Sequence, residues 1–364
     1  MAEKQHRHSG ARDGEDASRD EADLILEYHD KKSTYVNLCD EVEYILQKRL
    51  EEGGIRLAAL TARAKELESF LDKIDRMAYN EPFLQMTDLA GVRVVCLYQS
   101  DLPRIGELIA GEFEVSGVED KIQEQGAAEF GYGGVHYLVT LGKRSSGARY
   151  DDLKGLTCEI QVRTVVQDAW ATIDHHLEYK QESAVPTELR RRLHAVSALF
   201  EIADREFDGL RRERDAYIER IREEAAADEV ATFLAGELNL DSLREYVQWK
   251  FSYLPAEEKK NSLAITLEGL TRAGYKTLAD VDSLVQTTWA GLELVRKENP
   301  SHFDAADLLL DVALALTSEE YGQLSSRWLR RKELVKAAKA IGDVEGIAVP
   351  PTAPLADNAG ASSE

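Results

Sequence analysis

Thr157–Lys180, TCEIQVRTVVQDAWATIDHHLEYK, decides how the rest of the chain is read. Its opening residues alternate, with Cys158, Ile160 and Val162 on one face of an extended segment and Glu159, Gln161 and Arg163 on the other. The strand runs without a break into a helix that carries Trp170, His175, His176 and Lys180. A row made of a carboxylate, an amide and a guanidinium suits a metal ion and a phosphate. The adjacent His175 and His176 do not make a zinc site, because neighbours on a helix point about 100° apart. An HExxH motif is absent, so a metalloprotease is not indicated.

Upstream, Gly91–Tyr98 (GVRVVCLY) is β-branched and apolar, and the stretches near Phe113–Ile122, Val135–Leu141 and Leu156–Val162 read as further strands around a helix at Leu102–Glu112. The result is a mixed sheet with helices, an α+β domain. Before it, Leu24 to about Ala78 reads as helical throughout. Leu26, Leu38, Val42, Ile45, Leu46 and Leu50 share one face, a break falls at Gly53-Gly54, and a second helix contains Leu57, Leu60, Leu67, Phe70 and Ile74. Downstream, Leu189, Leu193, Val196, Phe200, Ala203, Phe207 and Leu210 recur at alternating steps of four and three, a long helix whose apolar seam packs within the chain or in a homo-oligomer. The expected organisation is a tail at 1–22, the α+β domain with its N-terminal helices at 23–185, the long helix at 186–228, a separate all-α domain at 229–345 and a Pro-rich tail at 346–364.

Three more clusters can carry chemistry. In TARAKELESFLDKI, helical spacing would set Lys65, Ser69 and Lys73 on one face behind Arg63, a surface that suits a triphosphate or, read alone, a solvated face paired with Glu66 and Glu68. In MTDLAGVRVV, Asp88 stands just before a buried strand, as a Mg²⁺ ligand or a turn residue before Gly91. In EFGYGGVHYLV, a Gly-rich turn delivers Tyr132 and His136; a tyrosine so placed can stack on a base or simply pack on a hairpin. Neither GxxxxGK[ST] nor GxGxxG occurs, so Walker and Rossmann sites have no support.

The 364 residues carry a formal net charge of -22, which disfavours indiscriminate binding to nucleic acid and DNA in particular. No apolar run reaches the roughly 20 residues of a membrane span and the N-terminus lacks a signal-peptide core, so a cytoplasmic protein is expected. Cys39, Cys96 and Cys158 are few, scattered and odd in number; they read as reduced thiols.

In their fixed order, RAKELESFLDKI, DLAGVRVV, FGYGGVHYLV and EIQVRTVVQDAWATIDHHLEYK resemble the synthetase domain of the RelA/SpoT-type nucleotidyltransferases, over roughly Tyr35 to Ala203. No HD-type hydrolase half is apparent, so the resemblance is to a stand-alone alarmone synthetase with a helical C-terminal extension. It implies a nucleotidyltransferase-like fold and transfer of pyrophosphate from ATP to the ribose 3′-hydroxyl of GDP or GTP. It further implies that Arg63, Lys65, Ser69 and Lys73 bind ATP and that Asp88 and Glu159 are catalytic and hold Mg²⁺. Tyr132, His136, Gln161, Arg163, His175 and Lys180 would then address the acceptor. The family's toxic branch, which modifies the 3′ end of tRNA or makes adenine alarmones, is the implied alternative, with Lys143, Arg144, Arg149 and Lys154 and Arg190 to Arg192 as a local basic contact. A non-catalytic nucleotide sensor is a third reading. Members commonly carry a bulkier residue at Gly133 and a polar one at Gly134, a departure that bears on acceptor fit.

Overall fold

A computed structural model describes residues 13–120, 133–177, 187–227, 230–254, 262–298 and 306–317. The chain divides into two compact units between Arg211 and Arg212, inside the long helix rather than at either of its ends.

The first unit opens with α1 (Asp13–Glu52), which buries Tyr28, Tyr35, Leu38, Cys39, Val42, Leu46 and Leu50 along one stripe. Leu26, expected on that face, is exposed. The helix ends where Gly54 adopts φ 66°, with Gly54 N–H donating to the Glu51 carbonyl and Ile55 N–H to the Leu50 carbonyl. Both bonds belong to a Schellman ending, which satisfies carbonyls that the helix leaves over.

The next segment departs from the expected second helix. Leu57–Ala64 is a strand, β1, and helix α2 begins only at Leu67 and runs to Met77. LAALTARA has helical propensity, but it pairs antiparallel with β2 (Ala90–Cys96), whose edge would otherwise be open, and the tertiary pairing overrides the local preference. After the short α3 (Pro82–Gln85) and β2 come α4 (Asp101–Glu112), β3 (Phe113–Asp120), β4 (Val135–Leu141) and β5 (Cys158–Thr164). The mixed sheet has the order β1-β2-β5-β4-β3; only β2 and β5 are parallel.

One sheet face is apolar. Ala90, Val92, Val94, Cys96, Cys158, Ile160, Val162 and Val139 join α1 and α4 in a single core. All three cysteines are free and buried there, and burial pushes the Cys39 thiol to about 11 and the Cys96 thiol to about 12. They are inert protonated thiols at neutral pH. The other face carries the polar residues of β5.

β5 passes directly into α5 (Val165–Leu177) through a capping box. Thr164 Oγ1 accepts from Gln167 N–H at 3.1 Å, and Gln167 Oε1 accepts from Thr164 N–H at 2.8 Å. Helix α6 (Thr187–Ala226) follows, and its docking is not made by the apolar seam as a whole. Phe200 sets its ring edge on buried Trp170, but Leu189, Val196, Phe207 and Leu210 are exposed, and the buried side is Ser197, Asp204 and Asp208.

Among its described residues the second unit is helical, apart from a single antiparallel bridge between Glu237 and Thr277. Beyond the end of α6 it comprises α7 (Val230–Leu234), α8 (Leu240–Lys250), α9 (Ser262–Arg272), α10 (Leu278–Glu298) and α11 (Ala306–Thr317) around Phe233, Tyr246, Phe251, Leu270, Val285 and Leu310. Within it, Lys250 is buried with its Nζ 2.8 Å from Asp282, and Tyr246 donates to the same carboxylate at 2.9 Å. No helix among the described residues is long and apolar enough to cross a membrane.

Candidate active site

Strand register builds the site. Arg63 on β1, Gly91 on β2 and Glu159 on β5 are lateral partners, and Thr61, Arg93, Gln161, His136 and Glu119 form the next row across all five strands. Directly paired residues share a face, so these side chains project together from the side opposite the core. Gly91 leaves the floor between Arg63 and Glu159 without a side chain. A cleft of about 250 Å³ opens there, lined by Arg63, Lys65, Ser69, Asp88, Arg93, Glu159 and Gln161 among others.

Lys65 does not share a helix with Ser69 and Lys73, contrary to the helical spacing. It lies in the turn between β1 and α2, where its N–H donates to the Leu89 carbonyl and its own carbonyl accepts from the Tyr28 hydroxyl at 2.6 Å. Lys65 and Lys73 nonetheless converge, because both reach Asp88. Lys65 Nζ is 2.7 Å from Oδ2 and Lys73 Nζ is 2.9 Å from Oδ1. The second contact is an ion pair rather than an aligned hydrogen bond, and Oδ1 is buried without a hydrogen-bond partner. Burial pushes the Asp88 carboxyl up, but the two lysines outweigh it and hold the group below its ordinary value.

Glu159 has a different set of partners. His136 Nδ1 is 2.9 Å from Oε1, and Gln161 Nε2 donates to Oε2 at 3.1 Å. Burial opposes ionisation here as well, and the His136 and Gln161 contacts overcome it, leaving the carboxyl below its ordinary value despite the nearby Asp88 charge. The other ring nitrogen of His136 lies 3.5 Å from Arg163 Nη2. Arg163 Nε is buried with no acceptor, and its guanidinium approaches Asp168 only to 3.9 Å, while Arg93 takes the same Asp168 oxygen at 3.2 Å. Burial and the neighbouring Arg93 push the Arg163 pKa down, against the opposing pull of Asp168 and Glu159.

Gly134 is buried against this corner. A Cβ there would stand 2.4 Å from Arg163 Cγ and 2.5 Å from the Val162 carbonyl oxygen, so the position has no room for a side chain while Arg163 keeps its place.

Of the residues picked from sequence, Arg63, Lys65, Ser69, Asp88, Glu159 and Gln161 line one cleft, Lys73 joins through Asp88, His136 through Glu159, and Arg163 through His136. His175 is exposed on α5, its ring edge-on to His176 at 6.1 Å. Tyr132 and Lys180 lie outside the described residues. Arg93 and Asp168 belong to the site but were not singled out as ligand-binding. Arg93 stands in register with Gln161, a relation that needs the strand pairing to be seen.

Comparison with known proteins identifies the chain's relatives. A family model described as a region found in RelA / SpoT proteins matches residues 62–184. The GTP pyrophosphokinase YjbM of Bacillus subtilis (strain 168) is 30% identical over 157 residues, 42% of this chain and 72% of that protein. The GTP pyrophosphokinase YwaC of the same organism is 27% identical over 158 residues, 42% of this chain and 73% of that protein. The crystal structure of the small alarmone synthetase 1 from Bacillus subtilis aligns with a TM-score of 0.44 at 24% identity, covering 52% of this chain and 98% of that one. The chain belongs to the RelA/SpoT family, with GTP pyrophosphokinases among its relatives.

Proposed function

We propose that the protein transfers the β,γ-pyrophosphate of ATP to the ribose 3′-hydroxyl of GDP or GTP, releasing AMP. The observation that carries this reading is the meeting of two anionic carboxylates, Asp88 and Glu159, in one cleft, with Lys65 and Lys73 on the first and His136 and Gln161 on the second.

On the donor side, Arg63, Lys65, Ser69 and Lys73 receive the triphosphate. Lys65 and Lys73 pair with Asp88, and phosphate oxygens of the donor compete with that carboxylate for them. That exchange returns lone pairs to Asp88. Asp88 and Glu159 suit Mg²⁺, since both supply hard oxygen donors, both are held ionised, and Asp88 Oδ1 is buried without a hydrogen bond. A bound Mg²⁺ would supply charge neutralisation on the phosphate oxygens.

On the acceptor side, Arg163 and Arg93 offer an anion site beside His136, and Gln161 presents an amide next to Glu159. In the reaction the 3′-oxygen bonds to the β-phosphorus as its hydroxyl proton passes to water, and the bond between that phosphorus and the α,β-bridging oxygen breaks with AMP as the leaving group. Most of the catalysis is positioning and charge stabilisation. The lowered pKa of Glu159 fits a carboxylate that orients the attacking hydroxyl and stays anionic better than one that retains its proton.

The tRNA alternative rests on a local basic contact. Arg144, Arg149 and Lys154 are each paired with a carboxylate, from Glu112, Glu41 and Asp151. Arg191 and Arg192, which belong to the same basic contact, are exposed, so the choice of acceptor is one for experiment. A competition in which ATP labelled in its β- and γ-phosphates meets GDP, GTP, an adenine nucleotide and tRNA together tests this. Label on the guanine nucleotides is expected; label on tRNA alone would overturn the assignment.

A further inference from the structure

We propose that Asp204, on α6 and outside the cleft, is a positioning residue for the acceptor side of the site, an inference that rests on the function proposed above. Asp204 is fully buried, and Thr164 Oγ1 donates to its Oδ2 at 2.8 Å. The same hydroxyl oxygen accepts from Gln167 N–H, so Asp204 fixes the rotamer of the capping box that turns β5 into α5.

What that turn positions is specific. Thr164 follows Arg163 directly, and Asp168, in the first turn of α5, pairs with both Arg93 and Arg163. A shift at Thr164 therefore moves the two guanidiniums that face the acceptor. The donor side is anchored elsewhere, by Tyr28, Leu89 and the lysine pair on Asp88.

Two further anchors lie on the same helix face, at i+4 and i+7 from Asp204. Asp208 Oδ1 accepts from Ser100 N–H at 3.0 Å, and Arg211 reaches Asp101 at 2.8 Å with its guanidinium over the Tyr98 ring. Ser100, Asp101 and Tyr98 follow β2, and Thr164 ends β5; Cys96 and Thr164 are partners in the parallel ladder. One polar face of α6 thus staples the C-terminal ends of the two strands that carry Arg93, Glu159, Gln161 and Arg163.

The test uses the full-length chain with Asp204→Ala, Asp204→Asn and Thr164→Val, measuring kcat and the separate KM values for ATP and for GDP or GTP. Asp204→Ala and Thr164→Val are expected to raise the acceptor KM roughly tenfold or more with the ATP KM within about twofold. The double variant should be no worse than Thr164→Val alone, because both remove one interaction. Asp204→Asn keeps an oxygen acceptor for the Thr164 hydroxyl and should recover most of the loss, and it also serves if the alanine variant does not fold. A fall in kcat with both KM values unchanged, or an equal rise in both, would overturn the positioning role. A wild-type chain that transfers no pyrophosphate would instead overturn the proposed function.

Discussion

His136 Nδ1 stands 2.9 Å from Glu159 Oε1, with the imidazole buried between that carboxylate and Arg163. The ring gives Glu159 a fixed orientation and helps hold it ionised against the cost of burial. Replacing His136 with Ala leaves a half-buried carboxylate short of a partner, a loss of about 1–3 kcal/mol. Turnover is expected to fall by about ten- to hundredfold, and the acid limb of the pH–rate profile should move toward neutrality. A profile identical to wild type would detach His136 from Glu159.

Asp88 and Glu159 also make a statement about acid stability. Each is held below its ordinary value, 3.8 and 4.5 respectively. The stability they contribute is therefore complete above those values and is lost as pH falls through the lower folded-state values. Urea unfolding followed from about pH 7 to about pH 3 should show a loss at the acid end that Asp88→Asn reduces. An unaltered acid slope in that variant would contradict the ion pairs with Lys65 and Lys73.

Much of this site was legible because its chemistry is local. The alternation of Cys158 to Arg163 gives a two-faced strand, and the polar run beyond it reads as a helix that follows without a break. What was not legible depends on distant chain. LAALTARA reads as helix until β2 offers an edge to pair with, and Lys65 was placed on that helix although it reaches Asp88 from a turn. Asp204 is 40 residues from the threonine it holds, and no spacing rule connects them. The α6 seam is exposed at Leu189, Val196, Phe207 and Leu210, while the helix docks through Asp204, Asp208 and Arg211, which look like solvent-facing charges in sequence.

Gly134 gives a steric prediction. A Cβ would stand 2.4 Å from Arg163 Cγ and 2.5 Å from a backbone oxygen, so Gly134→Ser must displace the arginine, the strand or both. Overpacking of this kind costs about 1–3 kcal/mol. The expected result is a lower Tm with a raised acceptor KM and little change in the KM for ATP. A Ser variant with unchanged Tm and both KM values unchanged would show that Arg163 does not need the space.

The second unit offers a test independent of catalysis. Lys250 is buried with Asp282 as its counter-ion, and Tyr246 donates to the same carboxylate. Asp282→Ala strands a buried ammonium, at a cost of about 3–5 kcal/mol. Denaturant unfolding of the full chain, followed through the fluorescence of Trp249 and Trp289, should show that loss; destabilisation below about 1 kcal/mol would contradict a buried, paired lysine.

The central claim is that Asp88 and Glu159 serve one pyrophosphoryl transfer to a guanosine nucleotide. Purified full-length protein with Mg²⁺, ATP and GDP or GTP is followed by ³¹P NMR together with AMP quantitation. The account predicts one AMP for each guanosine nucleotide that gains a diphosphate on its 3′-oxygen, and no product from Glu159→Gln. ADP and phosphate in place of AMP, or a diphosphate on any other oxygen, would contradict it.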